Sequence, residues 1–304
     1  NEDIYAEYRE VSTENISYTF EDVEWDEKYK LYIQAFGNNI ESGVYETDDL
    51  SVVYITKMGT NPNTIDNAVL VEWKIDGNPI TLLRIFPVDG GDTIDVVVSE
   101  TEYNSGKKAV WGLDSETSYR LIGYSGEEQT GDTYEGRISF KTAKPENYDE
   151  MFGSGKWLDL RGVEDTDILK SDTIKGFEAI ILQGGFEYKV NNSIVFSHSQ
   201  TFVTGLTLEG NAVFIQSGGF QATGNVDKVK FEKVDFISDK AYETPVRDYT
   251  AKSFDGRQVY NVNNTNSTIN EMIFKNCRIE GYRAVVRLQG DKDGIRSLTF
   301  DNCT

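Results

Sequence analysis

The sequence predicts an all-β protein in which sandwich modules lead into a right-handed, single-stranded parallel β-helix. Three observations carry this prediction: a unit that recurs ninety positions apart in the first half, three segments that superimpose without gaps in the second, and a composition suited to pleated sheets. Among 304 residues there are 17 Tyr, 16 Phe and 27 Gly, and Thr, Val and Ile recur in short alternating runs that suit half-buried strands joined by tight turns. No long helical periodicity is present. The length exceeds one ordinary core and calls for two or three domains.

The recurring unit is Val23-Glu24-Trp25-Asp26-Glu27-Lys28-Tyr29 followed by LYIQAFG, matched by Leu113-Asp114-Ser115-Glu116-Thr117-Ser118-Tyr119 followed by LIGYSG. An apolar residue six positions before a Tyr that opens an alternating strand resembles the E-to-F corner of fibronectin type III modules, where the tyrosine hydroxyl ties back to the backbone. Around the second copy, AVLVEWK (68–74), ITLLRIFPV (80–88), TIDVVVSE (93–100) and YEGRISFKT (134–142) supply the other strands, with Trp73 as a core residue. The expected domains are therefore a fibronectin type III-like module over 1–57, incomplete at its N-terminal side, and a second over 58–143. A linker over 144–150 and a parallel β-helix over 151–304 follow. Trp25, Tyr29, Trp73 and Tyr119 are read as core packing in preference to glycan platforms.

In the second half Val226–Ile237, Ile269–Glu280 and Ile295–Thr304 align so that Phe231, Phe274 and Phe300 coincide, as do Val229, Met272 and Leu298, and Val234, Cys277 and Cys303. The last two begin 26 residues apart, the length of one solenoid coil, and the first two 43 apart because of an insertion. Alternation sends Phe274, Cys277 and Ile279 inward and Lys275, Arg278 and Glu280 outward. Asn276 and Asn302 fall at one turn, where an asparagine ladder satisfies backbone groups. Cys277 and Cys303 read as stacked apolar residues and not as a redox pair or metal site.

Upstream, 177–190, 193–200 and 201–211 have the strand, Gly-turn and aromatic rhythm that opens pectate-lyase-like β-helices. With the fibronectin-like pair, the whole chain resembles bacterial cell-surface lipoproteins, encoded with glycan-utilisation machinery, that join such modules to such a helix. The resemblance implies an extracellular protein at the bacterial surface, with any lipid anchor upstream of residue 1. It implies polysaccharide as ligand and other outer-membrane glycan-uptake proteins as partners. Because the sequence stops within a rung, a further C-terminal portion is expected.

Charge narrows the partners. Residues 1–150 carry 12 Lys and Arg against 31 Asp and Glu, and residues 151–304 carry 18 against 20, so the acidic first half repels nucleic acid and anionic membranes. No apolar stretch reaches the roughly 20 residues of a membrane span.

For chemistry, Arg283 and Arg287 stand four apart in GYRAVVRLQG (281–290), on one strand face, with Arg278 one turn earlier and Asp235 its counterpart on the preceding rung. The cluster offers bidentate bonds to a carboxylate or sulfate, and Arg283 or Arg287 a base for β-elimination. A solvated face with an Asp235–Arg278 pair accounts for the same residues. Tyr242 and Tyr249, with Arg247 and Phe254, lie in the insertion 238–258, whose aromatics suit sugar stacking or the packing of a surface loop. No cofactor is required. Calcium is the one ion to weigh, at Asp291 and Asp293 before Gly294, although the other ligands of an EF-hand loop are absent and turn chemistry explains an Asp-Gly pair. The single histidine, His198, has no catalytic neighbour and reads as a turn residue. The leading expectation is a non-catalytic glycan-binding protein, with a polysaccharide lyase acting on an acidic glycan and a structural adhesin or spacer as alternatives.

Overall fold

The computed structural model describes residues 28–37, 40–47, 50–51, 58–59, 62–75, 77–126, 133–239, 258–262 and 266–304. Trp25, Arg247 and Phe254 lie outside the described residues, as do the glycan-binding candidates Tyr242 and Tyr249. The chain forms two compact units, 1–57 and 58–304. Among the described residues, no helix is long and apolar enough to cross a membrane.

Among the described residues of the first unit, six two-residue strands pair as an antiparallel ladder. They are β1 (Lys28–Tyr29), β2 (Tyr32–Ile33), β3 (Phe36–Gly37), β4 (Ile40–Glu41), β5 (Tyr45–Glu46) and β6 (Leu50–Ser51), joined β1 to β6, β2 to β5 and β3 to β4. Lys30 and Glu46 close the ladder with an ion pair of 2.7 Å.

The second unit begins with a sandwich. Strands β7 (Asn63–Thr64), β8 (Ala68–Glu72) and β11 (Lys107–Trp111) form one sheet in the order β11–β8–β7. Strands β9 (Leu82–Pro87), β10 (Ile94–Val97), β12 (Ser118–Tyr124) and β13 (Tyr134–Lys141) form the other, in the order β10–β9–β12–β13. This three-plus-four arrangement is fibronectin type III-like. Val69, Val71 and Trp73 face Leu83, Ile85, Leu121 and Ile138 across the core. Trp73 donates its indole N–H to the Tyr103 carbonyl at 3.0 Å. Tyr103 lies on α1 (Glu100–Ser105), a short helix that starts with a Ser99–Glu102 capping box and ends on Gly106 at φ 72°. The expected corner is present: Tyr119 is buried, and its hydroxyl accepts the Asp114 backbone N–H at 2.9 Å.

The β-helix has three parallel sheets. The first stacks β14 (Trp157–Asp159), β15 (Ala179–Leu182), β18 (Gln200–Thr204), β21 (Asn225–Glu232), β24 (Thr268–Lys275) and β27 (Gly294–Asp301). The second stacks β16 (Glu187–Val190), β19 (Ala212–Gln216), β22 (Val234–Ser238) and β25 (Arg278–Glu280). The third stacks β17 (Ile194–Phe196), β20 (Phe220–Ala222), β23 (Gln258–Val262) and β26 (Ala284–Leu288). Two short helices, α2 (Tyr148–Phe152) and α3 (Ser171–Ile174), border the first coil.

Register puts like on like, since each coil repeats one strand spacing above the last. Phe202, Phe231, Phe274 and Phe300 form a continuous column with ring centroids 5.2–5.3 Å apart. Cys277 is buried, its thiol pushed up to about 12 by burial, and donates to the Phe231 carbonyl; Cys303 donates to that of Phe274. Both cysteines are free thiols. His198 Nε2 bonds the Phe177 carbonyl at 3.1 Å, 21 residues back in the chain. Gly184 fits where it does because a Cβ there would lie 2.2 Å from the Glu209 carbonyl oxygen.

The turn between the first and second sheets is left-handed in successive coils, with Lys233 at φ 55°, Asn276 at 54° and Asn302 at 51°. Asn302 donates its amide to Asn276 Oδ1 at 2.8 Å, while Lys233 N–H donates to the Lys275 carbonyl and Asn276 N–H to that of Asp301. Lys233 occupies a ladder position that favours asparagine.

Two predictions follow from this geometry. Lys233→Asn raises the stability of the β-helix by about 1 kcal/mol, because Asn enters the left-handed region more readily than other L-residues, read as a higher thermal midpoint. Tyr119→Phe costs about 1–2 kcal/mol by stranding the Asp114 N–H, read as lower hydrogen-exchange protection along β12.

Candidate functional site

The arginines chosen from sequence do not converge on one face. Arg278 projects from β25 in the second sheet and pairs with Glu280 on its own strand. Asp235 is its register neighbour, as expected, but accepts the Asn211 amide at 2.8 Å. The expected Asp235–Arg278 pair is therefore replaced, because an outward residue two positions along the same strand is a nearer partner. Arg287 stands on β26 in the third sheet, above Asn261. Arg283 immediately precedes that strand, in the turn 281–283 where Gly281 takes φ 79°, and Ala284 and Val286 pair with the buried Gln258 and Tyr260 of the preceding coil.

Second and third sheets are joined by residues 191–193, 217–219 and 281–283 in three coils, and by 239–257 in the coil between β22 and β23. Its flanks, Ser238 and Gln258, are buried. Arg283 occupies the equivalent turn one coil further on.

For calcium, Asp293 uses Oδ1 to accept the Ser267 N–H at 3.0 Å, a bond between successive coils 26 residues apart. Among the described residues, no three His, Cys, Asp or Glu side chains gather as a metal-binding group, and Asp291 and Asp293 are not joined by a third.

A second site was not read from the sequence, and it lies where the sandwich meets the first coil. The strand β8 alternates Val69 and Val71 into the sandwich core with Ala68 and Leu70 outward, and the outward pair packs with Ile65, Ala109 and Trp111 against Leu206 and Leu208. On β15, Ile180 and Leu182 enter the β-helix core while Ala179 and Ile181 pack with Tyr148, Phe152 and Trp157. The unbroken apolar runs AVLV and AIIL were the available signal, since a strand buried on both faces loses its alternation. Of the segment 144–150, expected to be a linker, Tyr148 is buried and the other six residues are exposed; just before it Thr142 is buried and the Ala143 N–H donates to the Ile65 carbonyl.

Arg161 sits at the centre of this joint. Its side chain is 3% exposed, and it holds Asp66 of the sandwich through two bonds of 2.8 and 3.0 Å and Asp159 of the β-helix at 2.8 Å. It also donates to the Leu206 carbonyl and lies 5.5 Å from the centre of the Tyr148 ring. Burial works against the guanidinium charge, but hydrogen bonds to Asp159 and Asp66 outweigh it and raise the group above the ordinary arginine value. Gly205 admits this packing, because a Cβ there would lie 2.6 Å from the Tyr148 hydroxyl.

Beside the clamp opens a cleft of about 370 Å³, with Asp114, Glu146, Tyr148, Asp149, Trp157 and Arg161 in its lining. Trp157 donates its indole N–H to Asp149 at 2.7 Å, and the Tyr148 hydroxyl donates to Glu146 at 2.7 Å. Burial and that acceptor push the Tyr148 phenol up.

Removing the clamp cation leaves buried carboxylates uncompensated, so Arg161→Met costs about 3–5 kcal/mol. Adding Asp66→Leu recovers part of the loss. Thermal unfolding, together with protease cleavage at 142–147, checks both outcomes.

No protein-family model and no curated protein matches the chain. Among solved structures it is similar to a two fibronectin type III domain segment from chicken tenascin, at 20% identity and a TM-score of 0.22, over 38% of this chain and 65% of that one. It is also similar to a structure described as a myokine, at 16% identity and a TM-score of 0.21, over 29% of this chain and 98% of that one. The sandwich assignment itself stands on this chain's strand order and tyrosine corner.

Proposed function

We propose that this chain is an extracellular, non-catalytic glycan-binding protein of a bacterial surface. Its β-helix holds a polysaccharide along the turn between second and third sheets, and the fibronectin type III-like modules act as spacers. The observation that carries this reading is the register column Val195, Gln221, Asn261 and Arg287 on the third sheet, which begins its last coil directly after Arg283. A polymer lying along the axis meets side chains at a regular rise of about 4.8 Å per coil, and the outward ladder Val195, Gln221, Asn261 and Arg287 supplies such a row. The docked sandwich supports the spacer role. Arg161, Asp66 and the apolar patch around Leu208 hold it against the first coil, so a ligand on the helix stands at a fixed distance from it. Lipid anchoring, and delivery of the glycan to outer-membrane uptake partners, belong to this same proposal.

An array of acidic and neutral polysaccharides tests it. We expect saturable binding to an acidic glycan that weakens about tenfold, or 1.4 kcal/mol, in Arg283→Ala and Arg287→Ala. Arg278→Ala has little effect, because Glu280 already neutralises that residue. Ultraviolet absorbance from an unsaturated uronide would replace the binding role with lyase chemistry, and absence of binding to every glycan would leave an adhesin or spacer.

A further inference from the structure

The sandwich turns a second face away from the β-helix, the outer side of the sheet β10–β9–β12–β13. Leu83 and Ile85 on β9, and Tyr119 and Leu121 on β12, enter the core. Alternation therefore sends Leu82, Arg84 and Phe86 outward on one central strand, and Arg120, Ile122 and Tyr124 outward on the other. Both strands have lost the polar alternation of a solvated face. So have β8 and β15, and each of those is covered on two sides. The outward residues are of the kinds that protein interfaces favour, aromatics and Arg in place of Lys and Glu. Residues 58–143 carry 7 Lys and Arg against 14 Asp and Glu, yet all three arginines among them, Arg84, Arg120 and Arg137, stand on this face.

Register sets the outward residues in rows across the sheet. One row runs Asp95, Arg84, Ile122 and Arg137, from the β10 edge to the β13 edge. The next runs Val97, Leu82, Tyr124 and Tyr134, and a third runs Phe86, Arg120 and Ser139. A two-fold axis parallel to the strands and midway between β9 and β12 reverses each row upon itself. It sets Asp95 opposite Arg137 of a second copy, Val97 opposite Tyr134, Leu82 opposite Tyr124, and Phe86 opposite Arg120. Carboxylate then meets guanidinium, apolar meets apolar, and a cation meets an aromatic ring. Asp95 is held ready by Arg84 through two bonds of 2.6 Å, and a carboxylate keeps acceptor capacity beyond two. Ile122 is 6% exposed in the middle of its row, whereas Val97 is 73% exposed at the edge of the next.

We infer that this face is a dimer interface, in which two copies of the chain pack sheet on sheet with their strands aligned. Its edge strands lie roughly 14 Å apart at the ordinary strand spacing, a small area beside the about 800 Å² per partner of a standard complex. The dimer is accordingly a weak one whose population rises with concentration. Its existence is independent of any glycan on the β-helix.

Light scattering and sedimentation of the whole chain over a concentration series test the inference. The expected mass rises from 34.3 kDa toward twice that value. Val97→Lys, Arg137→Asp and Asp95→Arg each weaken association by about tenfold or more at an unchanged thermal midpoint, through a desolvated charge or a like-charge pair. Asp95→Arg combined with Arg137→Asp in one chain restores it, because each pair is reversed and not broken. A chain that stays at 34.3 kDa throughout the series overturns the inference. So does association that Val97→Lys and Arg137→Asp leave intact, which places it on another face, or a double variant that associates no better than its parents.

Discussion

The arrangement of the second unit depends on one buried cation. Arg161 is a guanidinium withdrawn from water, and a charge so placed is tolerable only with its partners in position. Those partners come from two architectures, Asp66 from the sandwich and Asp159 from the first coil. Sandwich and solenoid therefore cannot separate without stranding charge. The apolar contacts on either side, around Leu208 and around Ile181, then have a fixed geometry in which to close. Ion pairing here sets orientation, and apolar burial supplies most of the adhesion.

Much of the fold was legible because both architectures repeat. A tyrosine corner has a fixed spacing, and Leu113 to Tyr119 displays it before any contact is known. The coil register was legible for the same reason: Phe231, Phe274 and Phe300 align by counting alone, and so do Asn276 and Asn302. The strand β11 and the helix α1 were not singled out. KKAVW is short and begins with two lysines, and the helix is too brief for a 3.6-residue period to emerge.

The functional surface was far less legible. That Arg278 and Arg287 stand on different sheets depends on where the chain turns between β25 and β26, at Gly281, and a list of charged residues does not show that turn. The pairing of Arg278 with Glu280 in preference to Asp235 is a choice between two acidic neighbours, settled by distance. Arg161 itself is one arginine among many in sequence, and its partner Asp66 lies far along the chain, so nothing local marks it as buried. The outward apolar residues of AVLV and AIIL were visible, yet a run of four apolar residues fits a strand covered on both sides without saying by what.

The doubly covered strand β8 has a consequence for how chains of this kind are assembled. A sandwich module that meets solvent on its β7–β8–β11 side can be duplicated, shuffled or placed anywhere in a string, since its neighbours do not touch that face. This one cannot, because Ala68 and Leu70 on that face are complementary to a single surface, the turn around Leu206 and Leu208. Its position next to the β-helix is written into its own strand. The two form an inherited pair, and any recombination that moves one must carry the other with it.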